Sequence, residues 1–241
     1  ELRKIMEDQM FLDCFGCDVD YSLGKNFADF ADQFSKDSRY RTELYKLRRK
    51  FMSHADGLIH ADLHTSNIMA SRDKMKVIDM EFAFMGPFGY DLGYLVGNLI
   101  SQYCAACFKR FPSEQSRKQF KAYLLATIKS LIETYMKTFT LCWEKSVKER
   151  YRGQQGLLQS ILQEVMVDMP GYASMVNWFR SVSEIPYPDF DVIENKDAKR
   201  DATVLSLMID WGIMFGRYKY QSADDLIETI IGIEEEFRKS L

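Results

Sequence analysis

An ordered set of polar residues around one short predicted hairpin limits the folds open to this chain more than any other feature of the sequence. The first half of the set reads His60-Ala61-Asp62-Leu63-His64-Thr65-Ser66-Asn67. Short apolar runs at 68–70 and 75–78 then flank Ser71-Arg72-Asp73-Lys74, a pattern that predicts two strands joined by a turn. The second half, Asp79-Met80-Glu81, follows at once. The two halves therefore lie on either side of one hairpin, where a fold can present both to the same site.

Helical patterns fill most of the remaining sequence. Apolar residues between positions 27 and 52 recur at spacings of three and four, with Lys and Arg between them, and this predicts the first helix. Further helices are predicted at 90–110, 114–147, 154–167, 172–182, 198–217 and 223–239. Gly and Pro predict loops at 85–89 and around 185–189, and Ser222 with Asp225 predicts an N-cap for the last helix. The predicted fold is mainly α with one small β-hairpin.

The composition argues against several classes of protein. The 241 residues are 46% hydrophobic and 28% charged, which is typical of a globular chain with a large core. A net charge of −3 argues against nucleic acid or a membrane surface as a partner and leaves a small molecule or a protein. The sequence has no apolar run of the roughly 18 residues that a spanning helix needs. The charged start, Glu1-Leu2-Arg3-Lys4, does not resemble a signal peptide, and its lack of Met suggests a fragment or a processed chain.

The five cysteines are too few, and odd in number, for a disulfide framework, and they predict reduced intracellular thiols. Two Cys-x-x-Cys pairs occur, Cys14-Phe15-Gly16-Cys17 and Cys104-Ala105-Ala106-Cys107. Zinc ribbons bring two such pairs much closer in sequence, and the second pair lies within an apolar helical pattern. Buried thiols are therefore favoured over a zinc site.

The polar set has the residue types that phosphoryl transfer needs. Asp62 follows an apolar run, where a loop can present a carboxylate that orients an acceptor hydroxyl and accepts its proton. Asn67 offers an amide oxygen to a hard cation from the same loop. Asp79 and Glu81 alternate along a segment predicted to be extended, so both can face one Mg²⁺ ion, and Asn67 and Asp79 would hold nucleotide phosphates through it. Isolated Asp and Asn residues usually form turns, but the full ordered set is far rarer.

Neighbouring residues are predicted to have supporting roles. His60 is predicted to be a structural histidine that holds the loop, rather than a proton carrier. His64 either contacts a ligand or is a solvated loop residue. Asp91 is predicted to brace the loop through backbone N–H groups. Three aromatic residues are predicted to pack in the core beneath the site, namely Phe82, Phe84 and Phe88.

The residues around the hairpin resemble the 5-methylthioribose kinase family, a relative of the aminoglycoside phosphotransferases, choline kinases and protein kinases. The resemblance rests on the run 60–65 and on Glu81-Phe82-Ala83-Phe84 with the Gly86-Pro87 turn, and it continues through Tyr90-Asp91-Leu92-Gly93. It implies the C-terminal lobe of a protein-kinase-like fold and an ATP- and Mg²⁺-dependent enzyme of methionine salvage. Such an enzyme transfers the γ-phosphate to the anomeric hydroxyl of methylthioribose. The resemblance also implies a cytoplasmic location and a homodimer.

On this resemblance, Asp62 takes the catalytic position, and Asp79 with Glu81 takes the metal-binding positions. The family usually has Gly where Ala61 stands, and often Ser where Asn67 stands. It also has adjacent arginines in a late helix that help to bind substrate. The candidates here for that role are two single residues, Arg217 and Arg200.

The nucleotide-binding lobe of a kinase is not evident in this sequence. No Gly-rich loop and no Val-Ala-x-Lys strand precede His60. The chain is therefore expected to be a C-terminal lobe, residues 1–241, with weak or no activity by itself, because half of the nucleotide cage is missing.

Two alternatives stay open on the sequence alone. The same fold can act on another acceptor, such as an aminoglycoside, choline, homoserine or another sugar, because the helical half that builds the acceptor pocket carries the weakest similarity. The chain can also be a non-catalytic lobe that serves as an interaction module. The presence of Asp62, Asn67, Asp79 and Glu81 together argues against a non-catalytic lobe, since helix packing requires none of them.

Overall fold

Helices dominate the computed structural model, which describes residues 1–12, 32, 34–182 and 187–241. A mainly α fold is therefore confirmed. The helices are α1 (Leu2–Glu7), α2 (Ser38–Ser53), α3 (Gly89–Phe108), α4 (Glu114–Ser146), α5 (Gln155–Val182), α6 (Pro188–Asp191), α7 (Lys196–Gly216) and α8 (Ala223–Ser240). A π-helical turn, Asp8–Leu12, follows α1. Parts of two predictions lie outside the described residues, namely 27–31 and 33 of the first predicted helix and 185–186 of the predicted loop.

The described strands form two separate antiparallel pairs. They are β1 (Gly57–Ile59), β2 (Ile68–Ala70), β3 (Met75–Val77) and β4 (Phe84–Gly86). β2 pairs with β3, with Ile68 opposite Val77, which confirms the predicted hairpin. β1 pairs with β4, with Gly57 opposite Gly86, so the predicted loop is wrong at Met85 and Gly86. The backbone of β4 finds its partner in a distant part of the sequence, which local Gly and Pro content cannot reveal.

Helix α5 runs straight through the position where the sequence predicts a break between 167 and 172. Pro170 lies inside the helix, although Pro lacks the N–H that would bond to the preceding turn. Met169 beside it is fully buried, and α5 packs against both α3 and α7. Burial of apolar surface along this helix outweighs the roughly 3 kcal/mol that Pro costs in a helix interior. The predicted break is wrong because local propensity takes no account of tertiary packing.

Helices α3 and α5 meet backbone to backbone along Gly93 and Gly97. A methyl group on Gly93 would lie 2.7 Å from the carbonyl oxygen of Met169. A methyl group on Gly97 would lie 2.5 Å from the carbonyl oxygen of Ala173. Favourable contacts between non-bonded heavy atoms need about 3.5 Å or more, so only hydrogen fits at either position. These two glycines therefore set the spacing of α3 from α5.

Two apolar cores hold the helices together. The larger core lies between α3, α4, α7 and α8 and includes Ile100, Ile128 and Ile209. The second lies between α2, α5 and β1, and there the rings of Phe34 and Trp178 stack with their centroids 4.8 Å apart. Among the described helices, none combines the length and the apolar character that a bilayer crossing requires.

The prediction of buried thiols is confirmed for the Cys-x-x-Cys pair that the structure describes. Cys104 and Cys107 are buried free thiols on α3, whereas Cys142 on α4 is exposed. Cys14 and Cys17 lie outside the described residues. Burial raises the pKa of Cys107 to about 12, so this thiol is held in its neutral form.

Two further local predictions are confirmed. Ser222 and Asp225 form a capping box at the start of α8, in which each side chain accepts a hydrogen bond from the backbone of the other. The three predicted core aromatics are partly buried against the two cores: Phe82 and Phe84 against the second, and Phe88 against the larger.

Asp210 of α7 is fully buried and faces α5. Asn177 donates to its Oδ1 at 2.8 Å, while Oδ2 has no hydrogen-bond partner within the described residues. Burial raises the pKa of Asp210 well above its ordinary value, and the bond from Asn177 offsets this only in part. The folded protein therefore holds Asp210 as a neutral acid at pH values where the unfolded chain ionises it.

We predict that Asp210→Asn flattens the pH dependence of stability. Between the pKa of Asp210 in the unfolded chain and its raised pKa in the folded protein, only the unfolded state releases the proton. The free energy of unfolding therefore falls as the pH rises, by about 1.4 kcal/mol per pH unit for this group. An amide cannot ionise, so urea unfolding of the variant should lack this contribution as the pH rises above about 3.9, the ordinary pKa of an unfolded Asp. Asp73→Asn, in the exposed turn, should keep it, and an unchanged slope in Asp210→Asn would contradict the assignment.

Candidate active site

The loop after β1 turns sharply at Ala61, where the backbone is in the left-handed region with φ 70°. This conformation costs a residue other than Gly roughly 1–2 kcal/mol. The carboxylate of Asp91, in the first turn of α3, accepts hydrogen bonds from the backbone N–H groups of His60 at 2.7 Å and Ala61 at 2.9 Å. The two bonds hold the turn in place, so Asp91 has the contacts that the sequence predicts for it.

His60 is buried and bonded at both ring nitrogens. Its Nε2 lies 2.8 Å from the carbonyl oxygen of Ile78, and the backbone N–H of Asp62 lies 3.3 Å from its Nδ1. These partners suit an imidazole that donates from Nε2 and accepts at Nδ1. Both bonds join backbone groups, so the imidazole holds the loop together and has no nitrogen left for a substrate.

The two halves of the polar motif are joined through Ile78. Its carbonyl oxygen contacts His60, and its N–H donates to the carbonyl oxygen of Asn67 at 3.0 Å. The side chain of Asn67 is buried, and its Nδ2 donates to the carbonyl oxygen of Asp62 at 3.0 Å. Asp79 follows Ile78 directly. The loop that carries Asp62 and the segment that carries Asp79 are therefore one hydrogen-bonded unit.

The carboxylate of Asp62 is partly exposed and has two polar neighbours. His64 Nε2 lies 3.5 Å from Asp62 Oδ2, and the ring of the buried Tyr94, on α3, lies 6.4 Å from that of His64, centroid to centroid. Burial acts to raise the pKa of Asp62, but the polar groups of His64 and Tyr94 outweigh it, and the pKa is lowered overall. Asp62 is thus ionised at neutral pH and can accept a hydrogen bond from a hydroxyl group.

Asp79 and Glu81 do not alternate along an extended segment, so that part of the prediction is wrong. Asp79 has φ 65°, in the left-handed region, and Glu81 lies in a turn closed by a bond from Ala83 N–H to Met80 oxygen. Both carboxylates are exposed. Within the described residues neither makes an ion pair, so both are available to a cation.

The donor set of this region fits a hard divalent cation. Carboxylate and amide oxygens are the protein ligands that Mg²⁺ takes, together with water and phosphate oxygens. Asn67 uses its Nδ2 within the loop, and its amide oxygen remains an acceptor. In the part of the chain that the structure describes, no three His, Cys, Asp or Glu side chains form a metal cage. A site built on Asn67, Asp79 and Glu81 would therefore depend on substrate oxygens as well.

The two arginines proposed for substrate binding are not brought to this loop. Arg217 is buried and pairs with Glu43 at 2.8 Å and with Asp168 at 3.7 Å. A guanidinium group removed from water needs such counter-charges, and this explains its place between α2, α5 and α7. Arg200 pairs instead with its helix neighbours, Asp197 at 3.0 Å and Asp201 at 2.9 Å. Neither set of partners belongs to the motif, so this prediction is corrected.

A chain of buried polar side chains that the sequence prediction missed leads away from the loop. Asn98 Oδ1, on α3, accepts from both the N–H and the hydroxyl of Thr65, at 2.9 and 2.8 Å. Asn98 Nδ2 faces Asp189 Oδ1 at 3.4 Å, and Arg180 Nε donates to Asp189 Oδ2 at 2.7 Å. The only sequence signal was Asn98 itself, a polar residue that interrupts the apolar run 94–100.

Tyr94 was also missed. A tyrosine in an apolar helix is ordinarily a core residue, and Tyr94 is indeed buried. Its position three residues after Asp91 places it on the same face of α3, which is the face turned to the loop. That spacing was the signal available in the sequence.

Comparison with known proteins finds similarity over the part of the chain that contains the polar motif. The profile of a phosphotransferase enzyme family, APH, matches residues 19–131, which include the whole polar motif. The methylthioribose kinase of Geobacillus thermodenitrificans (strain NG80-2) is 32% identical over 238 residues, which cover 97% of this chain and 57% of that protein. The methylthioribose kinase of Geobacillus sp. (strain WCH70) is 30% identical over 226 residues, covering 94% and 54%.

A third relative, the methylthioribose kinase of Bacillus cereus (strain B4264), is 30% identical over 224 residues, which cover 93% of this chain and 54% of that protein. The chain thus spans about half the length of the curated relatives that it matches. Residues 19–131 are similar to the phosphotransferase enzyme family, and the chain as a whole is similar to about half of a methylthioribose kinase.

Proposed function

We propose that this chain is the acceptor-binding lobe of an ATP- and Mg²⁺-dependent small-molecule kinase. One observation carries the proposal. The loop that presents the ionised Asp62 is bonded through Ile78 to the segment that carries Asp79, so a base and a metal-binding carboxylate are held in one rigid unit. Phosphoryl transfer is catalysed mainly by positioning and electrostatics, and such a unit supplies both.

The proposed step uses Asp62 as the residue that orients the acceptor. Its carboxylate accepts a hydrogen bond from the acceptor hydroxyl, whose oxygen forms a bond to the γ-phosphorus. The bond from that phosphorus to the β,γ-bridging oxygen breaks, ADP leaves, and the acceptor proton passes to Asp62. Because the pKa of Asp62 is lowered, it is a weak base, and proton transfer comes late in a loose transition state.

Asn67, Asp79 and Glu81 are the residues proposed to hold Mg²⁺. A bound Mg²⁺ would neutralise charge on the phosphate oxygens. The protein prepares these ligands in different ways. Asn67 is fixed by its bond to Asp62, whereas the exposed Asp79 and Glu81 stay free to meet a metal that arrives with the nucleotide.

We propose 5-methylthioribose as the acceptor, with transfer to its anomeric hydroxyl. The support is the similarity to methylthioribose kinases over nearly the whole chain. A second candidate is another acceptor of the same fold, such as an aminoglycoside, choline, homoserine or another sugar. The observation that favours it is that Arg217 and Arg200, the two residues proposed to select the substrate, are both paired elsewhere.

Exposed apolar side chains on the two small sheets support a second lobe. Leu58, Met69 and Met75 are 66%, 62% and 69% exposed there. Large exposed apolar surfaces commonly mark an interface. We propose that the half of the relatives' length that this chain does not match covers this surface with a nucleotide-binding lobe, and that residues 1–241 alone are weakly active or inactive.

The test is turnover by the full-length gene product with ATP, Mg²⁺ and a panel of acceptors. We expect ADP release that requires 5-methylthioribose and is abolished by EDTA. Turnover with a different acceptor only would establish the second candidate. Nucleotide binding without turnover on any acceptor would overturn the proposed function and indicate a non-catalytic lobe. Robust turnover by residues 1–241 alone would show that a second lobe is not needed.

A further inference from the structure

We propose that Asn98 of α3 is a positioning residue for the loop that carries Asp62, and that Asp189 fixes the orientation of Asn98. This inference rests on the proposed kinase function for its catalytic consequence. The bonds on which it depends are those between Thr65, Asn98 and Asp189.

The position of Thr65 makes its contact with Asn98 important. Thr65 begins the 3₁₀ turn Thr65–Asn67, so it stands between Asp62 and Asn67 in the loop. Its N–H and its hydroxyl both end on the one amide oxygen of Asn98, at 2.9 and 2.8 Å. A double contact of this kind fixes both the place and the rotation of the turn. The distance between the proposed base and the proposed metal ligand therefore depends on Asn98.

Asp189 determines which way the amide of Asn98 points. The N–H group of Thr65 requires an acceptor, so the amide oxygen of Asn98 faces Thr65. The carboxylate of Asp189 requires a donor, so the NH₂ group of Asn98 faces Asp189. Asp189 and Asn98 are both almost fully buried, with exposed fractions of 2% and 0%. In a dry environment a reversed amide would face like groups on both sides, which is costly. The amide therefore has one orientation.

Arg180 supplies the positive counter-charge to the buried carboxyl group of Asp189. Arg180 donates to Asp189 from Nε at 2.7 Å, and its guanidinium group lies 4.4 Å from the ring centroid of Tyr187. Gln102, one turn after Asn98 on α3, donates to the same carboxylate. The chain of bonds thus runs from the end of α5, through α6, to α3 and the loop.

Packing alone does not require these polar groups. Well-packed apolar side chains of similar volume often replace a buried polar or charged network with little loss of stability. What an apolar side chain at position 98 cannot do is accept hydrogen bonds from Thr65. The specific property of Asn98 is thus the oxygen that it offers to the loop.

The test exchanges the roles of Asn98 and Asp189 in the full-length protein. Asn98→Asp keeps an acceptor for Thr65 but places two carboxylates within 3.4 Å of each other. We expect kcat to fall about 10-fold to 100-fold, a loss typical of a displaced catalytic group, with little change in the KM for ATP. The double variant Asn98→Asp with Asp189→Asn restores one amide and one carboxylate, and it should recover most of the kcat.

Asn177→Asp is the matched control, because Asn177 is also a buried Asn bonded to a buried Asp. It lies 2.8 Å from Asp210 and makes no contact with the loop. We expect it to destabilise the fold without a specific effect on kcat per folded molecule. Equal losses of kcat in Asn98→Asp and Asn177→Asp, after correction for the folded fraction, would overturn the proposal. So would a double variant no better than either single variant.

Amide hydrogen exchange of the 62–67 segment provides a readout that does not depend on turnover. Asn98→Asp should raise the exchange rate of Thr65 and its neighbours, the double variant should lower it again, and Asn177→Asp should leave it unchanged. If the wild type phosphorylates no acceptor, the kinase proposal fails, while this measurement still decides whether Asn98 positions the loop. Unchanged exchange in Asn98→Asp would reject the positioning role even in an active kinase.

Discussion

Asp62→Asn in the full-length protein is expected to lower kcat by about 100-fold to 10,000-fold, the range typical for loss of a general base. The amide keeps the shape of the side chain and its place beside His64 and Tyr94, but it loses the negative charge. Its amide oxygen can accept only a weaker, neutral hydrogen bond from the acceptor hydroxyl, and it cannot take the proton. Affinity for Mg²⁺-nucleotide should change little, because the proposed metal ligands are other residues.

Two measurements check this prediction. Single-turnover kinetics should show a slower chemical step in Asp62→Asn, while nucleotide binding measured by calorimetry stays close to that of the wild type. Asp73→Asn, a loss of the same charge in the exposed turn between β2 and β3, should leave both quantities unchanged. If Asp62→Asn retained wild-type turnover, Asp62 would not be the base.

Gly97→Ala is expected to destabilise the fold by about 1–3 kcal/mol or more, the range typical of an overpacked core. The added methyl group would lie 2.5 Å from the carbonyl oxygen of Ala173, and the contact is with backbone that cannot rotate away. Helices α3 and α5 would have to separate. In an exposed helix the same substitution would be favourable, because Ala is the better helix former.

Gly232→Ala on α8 supplies that opposite case. Gly232 is exposed, and a methyl group there has no atom of the described residues within 4 Å. We expect it to stabilise the fold by about 0.5–1 kcal/mol. Urea unfolding of the two variants should therefore give shifts of opposite sign. A shift of the same sign and size in both would show that the contact between α3 and α5 is looser than the structure indicates.

The sequence predicted those features that depend on neighbours along the chain. The hairpin of β2 and β3 is closed by four residues, and the capping box of α8 spans Ser222 to Asp225, so both leave a local pattern. The pairing of β1 with β4 and the continuity of α5 across Pro170 depend on distant partners. No local pattern encodes such partners, and both predictions failed for that reason.

The same division applies to the site. Asp62, Asn67, Asp79 and Glu81 were found because they occupy one short motif, although their roles stay predictions. Contacts from other elements were harder to predict, since they depend on which helix faces the loop. Asp91 was found from its place at the start of α3, whereas Tyr94 and Asn98, one and two turns further on, were missed.

Arg217 shows the opposite error. A lone arginine in a late helix suggested a substrate contact, but its charge is satisfied by Glu43 and Asp168 inside the protein. Burial acts to raise the pKa of Glu43, yet its bonds, foremost that from Arg217, lower it to about 2, which indicates a strong internal pair. Whether an arginine binds a ligand or another helix is decided by three-dimensional neighbours, which one sequence does not contain.

Helix α3 makes contacts on two faces, one toward the loop and one toward α5. Asp91, Tyr94 and Asn98 lie along one face and touch the loop, while Gly93 and Gly97 lie along the other and touch α5. Any change in the gap between α3 and α5 would move all three anchors together. A methyl group added in that gap, although it does not touch the loop, is therefore expected to displace Asp62 as well as to destabilise the fold. The close approach that Gly93 and Gly97 allow between the two helices thus also fixes the position of the proposed base.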